Sequence, residues 1–341
     1  MKHLKNIALL AFAILAACTK DEINVPQGDD PPPPPPPNQV WADTAYKTPV
    51  ESGTVSPPCI YVSTSDILTG EYTVYKYNLE GTKREQVIGS TSSSLLTVTP
   101  PGFSQRGEFM AFGDREGLQM QDMRTDLTSL ICNIPGREVG NVQFSPDDGK
   151  LAFNAVFSYD PVFGFGDLYV VDARLGATPV SLTKSNGAEV LSVPSFSKDG
   201  KHIAYTTGGV LYVTDLEGAQ KIEMQKDNSY WTADPIYSRN GREIIFTSGT
   251  GWLMESGEIY AASVAEGAAE QRVQLTESRE YGLKRVYMPM LGPDGTLFFL
   301  GETYTEFVHL YARSVNGGPF RMVTPCVSAR GEDARLTFVE R

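Results

Sequence analysis

The chain has 341 residues, with 41 acidic against 29 basic side chains and a formal net charge of −12. It has no overall basic field to attract polyphosphate, so nucleic acid is set aside as a partner, and three histidines are too few for a His-rich metal enzyme. The 32 Gly, 23 Pro, 16 Tyr and 16 Phe make a turn-rich, aromatic-rich composition, and the length is compatible with one all-β unit as well as with two domains.

The first segment, residues 1–17, carries Lys2 and Lys5 and then an apolar run of eleven residues, Ile7 to Ala17. A bilayer span needs about 20 such residues, so this run reads as a cleaved export signal. Leu15-Ala16-Ala17-Cys18 resembles a bacterial lipobox, which implies that Cys18 receives a diacylglycerol. Thr19 at the second mature position favours the outer membrane. Lys20-Asp21-Glu22 is similar to the signal that sends many Bacteroidetes lipoproteins to the cell surface. The expected location is therefore the outer membrane, on its outer surface or otherwise facing the periplasm. Residues 18–40 continue through Asp29-Asp30 into seven prolines, Pro31 to Pro37. Proline fixes φ and cannot donate a backbone hydrogen bond, so the tract forms a polyproline II rod of about 3.1 Å per residue, roughly 20 Å long. It reads as a stiff tether, the alternative being a ligand for an SH3-type groove.

From residue 41 to 341 the chain reads as one β unit built of repeats. The first repeat signature is an aromatic-Ser pair, a turn holding Gly, and a second aromatic nine residues after the first: Phe103-Ser104 to Phe112, Phe144-Ser145 to Phe153, Phe196-Ser197 to Tyr205, and Tyr237-Ser238 to Phe246. A weaker copy runs from Leu291-Gly292 to Leu300. Asp-Gly and Asn-Gly in these turns supply the positive-φ positions of a tight β-hairpin. The second signature is an aliphatic residue, usually followed by Tyr, with Asp, Asn or Ser four residues on. Its anchors Val74, Leu118, Leu168, Leu211, Ile259 and Leu310 lie 44, 50, 43, 48 and 51 residues apart. A period in the forties with four short strands per unit marks a propeller blade, so an all-β, six-bladed β-propeller with four antiparallel strands per blade is expected. A β-sandwich or a Greek-key barrel explains neither the recurrence nor its register. Val180-Ser-Leu-Thr183, Val273-Gln-Leu-Thr276 and Arg321-Met-Val-Thr324 read as outer strands.

Gln143-Phe-Ser-Pro-Asp-Asp-Gly-Lys-Leu-Ala-Phe153 and Ser195-Phe-Ser-Lys-Asp-Gly-Lys-His-Ile-Ala-Tyr205 resemble the WD40-like repeats of the TolB propeller family. The resemblance covers roughly residues 59 to 341 and implies the fold, not a ligand. Residues 41–58 are too short for the extra N-terminal α/β domain of TolB, which puts a role in the Tol-Pal machinery in doubt and points to a lipid-anchored relative.

The first blade lacks an aromatic-Ser hairpin before Cys59-Ile-Tyr-Val-Ser-Thr64. The segment Ala334 to Glu340 alternates like a strand and has no blade of its own, so it is expected to complete the first blade and remove a free edge. Val327-Ser328 is the competing candidate. Cys59 and Cys326 fall near the two ends of this closure, which makes a disulfide between them compatible with an oxidising compartment and leaves Cys132 as a buried thiol.

Insertions concentrate in the loops between second and third strands, and these with the approach to one inner strand bring Tyr159, Phe163, Phe165, Tyr230, Trp231, Trp252, Tyr304 and Phe307 to one rim. Aromatic side chains so placed suit stacking on sugar rings or anchoring a protein; the alternative is that they fold back to cover blade edges. His202 and His309 read as surface or structural positions. No Gly-x-Ser-x-Gly elbow, His-Glu-x-x-His helix or phosphate-cradling loop occurs, and the cysteine spacings lack the close pairs of a zinc site. No catalytic residue, metal site or cofactor is expected. The enzyme alternative is a propeller lyase or glycosidase pairing two of Asp160, Asp167, Asp234, Glu255 and Glu302 across the mouth. The sequence therefore points to a monomeric, non-catalytic binding module: a protein-interaction scaffold in the envelope, or alternatively a surface glycan-binding lipoprotein beside polysaccharide utilisation.

Overall fold

A computed structural model of the protein describes residues 50–66, 71–92, 101–114, 116–156, 166–183, 192–227, 229–251, 256–305, 307–328 and 332–339. Cys18, the proline tract, Tyr159, Phe163, Phe165 and Trp252 lie outside the described residues. The described chain forms six sheets, antiparallel except where β1 pairs in parallel with β4. The first contains β1 (Glu51–Ser52), β2 (Cys59–Asp66), β3 (Glu71–Asn78) and β4 (Lys83–Ser92). The second is β5 (Gly102–Phe103), β6 (Phe109–Asp114), β7 (Gly117–Asp122) and β8 (Thr128–Cys132). The third is β9 (Glu138–Phe144), β10 (Lys150–Val156), β11 (Gly166–Asp172) and β12 (Val180–Ser181). The fourth is β13 (Ser195–Phe196), β14 (His202–Thr207), β15 (Val210–Asp215) and β16 (Lys221–Glu223). The fifth is β17 (Trp231–Tyr237), β18 (Glu243–Gly249), β19 (Glu258–Ser263) and β20 (Val273–Gln274). The sixth is β21 (Leu283–Leu291), β22 (Thr296–Thr303), β23 (Val308–Ser314) and β24 (Arg321–Ser328). The last strand, β25 (Glu332–Val339), returns to the first sheet, whose order is β1-β4-β3-β2-β25.

Each repeated hairpin is held by its own turn. The serine that ends the inner strand accepts the N–H of the residue five positions on: Phe109 donates to Ser104 Oγ at 3.0 Å, Lys150 to Ser145 at 2.9 Å, His202 to Ser197 at 2.9 Å and Glu243 to Ser238 at 3.1 Å. In three of these turns the hydroxyl donates to the residue two positions on, Asp147 at 2.6 Å, Asp199 at 2.6 Å and Asn240 at 2.8 Å. These bonds hold the Asp147 and Asp199 carboxyls below the usual carboxylate range. The Ser-x-Asp/Asn pattern is thus a local clasp that satisfies orphan turn groups before any tertiary contact forms.

The two sequence signatures meet as cross-strand pairs. Phe153 lies opposite Tyr169, Tyr205 opposite Tyr212, Phe246 opposite Tyr260 and Phe299 opposite Tyr311. Their rings stack with centroids 5.6, 5.6, 6.2 and 5.9 Å apart. The sixth blade corrects the sequence reading, because Phe299 and not Leu300 occupies the aromatic position. Its shorter Gly292-Pro-Asp-Gly295 turn brings the second strand one residue earlier.

The core is divided among the seams between blades, because successive side chains of a strand face opposite neighbours. One cluster fills each seam: Phe144, Phe153 and Leu118 between the second and third blades, for example, and Phe246, Met224 and Leu211 between the fourth and fifth. Full burial of one such side chain is worth about 1.5–3 kcal/mol. The two seams that flank β25 carry Ile60, Val62 and Leu300 on one side and Tyr61, Phe103 and Val339 on the other.

That alternation also decides the fate of the cysteines. Cys59 is a free, fully buried thiol whose side chain joins the cluster facing the second blade. Cys326 belongs to β24 in the sixth blade, across the opposite face of β2, and its side chain lies outside the described residues. The structure therefore does not hold the staple that chain position alone allowed. Burial pushes the Cys59 thiol up to about 11, as it does that of Cys132, also free and buried.

Candidate functional site

Inner strands of all six blades surround a central channel. The hairpin turns that follow them are laced together on one face: Gln105 N donates to Asp148 Oδ1 at 2.8 Å between the second and third blades, and Arg239 Nε donates to Gly292 O at 2.7 Å between the fifth and sixth. On this face a cavity of about 690 Å³ opens into the channel. Its mouth carries both charges, with Arg106, Lys198 and Arg239 beside Glu108, Asp147 and Asp148. Its wall is apolar, including Phe109, Phe196, Ile236, Tyr237, Met290 and Phe338.

Two ionisable side chains reach the inner end. Arg335 on β25 is only 2% exposed. Its Nη2 donates to Val142 O at 2.7 Å and to Gln143 Oε1 at 3.1 Å, so a side chain of the first blade crosses to the third. The second blade permits this approach because its inner strand is only Gly102–Phe103. A Cβ on Gly102 would stand 2.3 Å from the same Val142 carbonyl oxygen.

Asp234 on β17 has φ of 51°, a left-handed conformation uncommon in a non-glycine residue. The pairing of β17 with β18 shifts register there, between Ala233 and Ile236. The bulge aims the carboxylate at the sixth blade, where Oδ2 accepts Met288 N at 3.3 Å and, within its own blade, Thr247 Oγ1 at 3.3 Å. Burial pushes the carboxyl above its usual range, against the pull of those hydrogen bonds and of Arg335 and Arg285.

A raised carboxyl makes its contribution to stability below about 3.9, the unfolded value, and loses it as pH rises through the folded value. Replacing Asp234 by Asn keeps an acceptor for Met288 N–H and tolerates the left-handed φ. Asp234→Asn is therefore expected to be more stable than wild type at pH 7, by about 0.5–2 kcal/mol, as for other single stabilising changes. The advantage should shrink as pH falls below the folded value. Urea denaturation at pH 7 and pH 4 checks both the sign and the convergence.

Of the eight aromatics expected at the other rim, four lie among the described residues. Tyr304 and Phe307, on the loop between β22 and β23, are 53% and 37% exposed. Trp231 begins β17, but its ring lies on Gly209 of the fourth blade: a Cβ there would stand 2.4 Å from the indole. Gly209 also has φ of 79°. Gly209→Ala is expected to cost about 1–3 kcal/mol, combining an unfavourable φ with overpacking, and thermal unfolding followed by tryptophan fluorescence reads the loss.

Tyr230 is a correction: it is buried, with the Arg272 guanidinium 3.7 Å over its ring. Its backbone carbonyl accepts from Gln225 Nε2 at 2.9 Å. Of the carboxylates considered for catalysis, Asp160 and Glu255 lie outside the described residues. Asp167 is buried in an ion pair with Arg137 at 2.9 Å, and Glu302 is held by Lys284 at 3.0 Å and Arg285 at 2.6 Å. His309 is buried beside Tyr311, and burial lowers its basicity; His202 is exposed. Among the described residues no three His, Cys, Asp or Glu side chains group so as to hold a metal ion. The sequence reading missed the cavity on the hairpin face and Arg335 at its inner end, and it named Asp234 only as one of the carboxylates of the enzyme alternative. In three blades the residue four before the hairpin Ser or Gly is left-handed, Asn141, Asp234 and Met288 having φ of 52°, 51° and 54°, and three such different side chains leave no common mark in the sequence.

Six blades, the first completed by the C-terminal strand, define a six-bladed β-propeller with a cavity at the hairpin end of its channel. Among solved structures the chain is similar to TolB from Acinetobacter baumannii, with a TM-score of 0.62 at 18% identity over 83% of this chain and 67% of that one. It is likewise similar to a putative TolB from Agrobacterium tumefaciens, with a TM-score of 0.56 at 17% identity over 83% of this chain and 99% of that one. An oligogalacturonate lyase in complex with manganese is similar with a TM-score of 0.53 at 12% identity, over 78% of each chain. Identities this low establish a shared fold. No family model and no curated protein matches the sequence.

Proposed function

We propose that the protein is a non-catalytic propeller that binds a partner protein at the cell envelope, held there through a lipidated Cys18. The observation that carries this reading is the cavity on the hairpin face. It is rigid, because inner strands and laced turns build it. Its apolar wall and balanced, charged mouth suit a protruding segment of a protein better than a uniformly charged polymer. Glu51 N–H donates to Thr82 O, in the turn between β3 and β4, so β1 lies against the propeller at that same face.

The test is site-specific photocrosslinking in full-length protein in its cell of origin. A photoreactive residue at Arg106, in the mouth, should give one discrete protein adduct, and the same residue at Val273, 64% exposed on the outermost strand of the fifth blade, should not. Identical adduct patterns at the two positions would sink the reading.

Exposed Tyr304 and Phe307 favour a second reading, glycan binding on the opposite rim. It requires polysaccharide binding that Tyr304→Ala or Trp231→Ala removes.

A further inference from the structure

The carboxylate at the inner end of the cavity is not required by the backbone around it. Asn141 in the third blade and Met288 in the sixth hold the same left-handed bulge with φ of 52° and 54°, so a neutral side chain serves that geometry. Of these three bulges among the described residues, the fifth blade's alone places a charge there, where burial works against it. A residue that breaks the local rule at a cost to stability marks a site used for something else.

Its two oxygens are not equivalent. Oδ2 takes both the Met288 N–H and the Thr247 hydroxyl. Oδ1 accepts no hydrogen bond among the described residues, and Asp234 lines the cavity. The nearby cations have acceptors of their own: Arg335 donates to Val142 O and Gln143 Oε1, and Arg285 donates to Glu302. Between the mouth and this oxygen run aromatic and apolar walls formed by Phe109, Phe196, Tyr237 and Phe338. A long, slender apolar stem packs against such walls, and a cation at its tip gains from ring faces as well as from the carboxylate.

We propose that the cavity recognises a lysine side chain presented by the partner protein, its ammonium donating to Asp234 Oδ1 and its methylene stem lying along the aromatic wall. This rests on the protein-binding reading above. A single open oxygen suits the compact point charge of an ammonium, whereas a guanidinium fork pairs best with both oxygens of a carboxylate.

The experiment titrates full-length protein, by ligand-observed NMR, with acetyl-Gly-Lys-Gly-amide, its norleucine counterpart and its arginine counterpart. The lysine peptide is expected to bind at least about tenfold more tightly than the norleucine peptide, a difference of about 1.4 kcal/mol, and more tightly than the arginine peptide. In Asp234→Asn the lysine and norleucine peptides should bind alike, while a melting temperature no lower than that of wild type shows that the fold is intact. Equal binding of lysine and norleucine peptides to wild type, no binding of either, an arginine preference, or a lysine preference surviving in Asp234→Asn would each overturn the assignment. Crosslinking from position 106 does not depend on the peptides. An adduct without peptide selectivity removes the lysine and leaves the scaffold, whereas peptide selectivity without an adduct removes the scaffold.

Discussion

Deletion of residues 332–341 is expected to leave no cooperatively folded propeller. β25 pairs with β2 through eight consecutive residues, from Cys59↔Val339 to Asp66↔Glu332. Without it, β2 becomes an unpaired edge of the kind that templates aggregation. The seams on both sides of the first blade are opened as well, since Leu336 and Phe338 pack toward the sixth blade and Val339 toward the second. The loss is expected to exceed the ~5–15 kcal/mol that holds a typical domain folded. Urea denaturation followed by far-UV circular dichroism should show no sigmoidal transition, and size-exclusion chromatography should show aggregates. A synthetic peptide of residues 332–341 added during refolding should recover part of the monomer. A truncated chain with the wild-type transition would mean that β25 is an accessory strand.

Arg335→Ala should be the most damaging single substitution, at about 3–5 kcal/mol, the usual cost of removing one member of a buried charged network. Three losses combine. The buried Val142 carbonyl loses its donor, a penalty of about 1–3 kcal/mol for a buried group left unsatisfied, and the half-buried Gln143 amide loses its partner at the cavity wall. The largest fully buried side chain of the described residues leaves a void between the first, second and third blades. Asp234 loses the nearby positive charge that offsets part of its burial, so its carboxyl should rise further. Arg335→Lys keeps the charge but gives up the planar fork, so it should fall between wild type and Ala. The free-energy changes come from urea midpoints at constant slope. An Arg335→Ala protein within about 1 kcal/mol of wild type would show that the cross-channel bonds contribute little net stability.

Both expectations concern closure, and closure is where sequence and tertiary structure divide the work. The blades were legible because their determinants are local. Ser145, Asp147 and Gly149 close a turn with bonds spanning two to five residues, and Phe153 meets Tyr169 across a single strand pair. Such contacts repeat whenever the pattern repeats, so six units could be read from a linear string, with two candidates left for the strand that closes them. The fused aromatic pair in the sixth blade was read one residue out of register because a turn shortened by one residue leaves no mark on an apolar run such as Leu297-Phe-Phe-Leu300.

The candidate site was legible only in fragments. Exposed Tyr304 and Phe307 follow from an aromatic loop insertion, but Tyr230 has the same local sequence appearance and is buried, because Arg272, 42 positions later, covers its ring. Whether Cys59 faces the sixth blade or the second depends on strand phase, which one residue of register inverts. Arg335 and Val142 are 193 positions apart, and Asp234 and Met288 are 54 apart; no periodicity links either pair. The sequence by itself determined the blade and its number, since both are set by short-range hydrogen bonds and side-chain alternation; which C-terminal strand joins the ends, left open there between Ala334–Glu340 and Val327-Ser328, was decided by the pairing of β25 with β2. Only the tertiary structure decided which face carries the cavity, which charges reach its inner end and which oxygen of Asp234 stays open. Those depend on how six twisted sheets converge on one axis, and convergence is a property of the ring and not of any repeat within it.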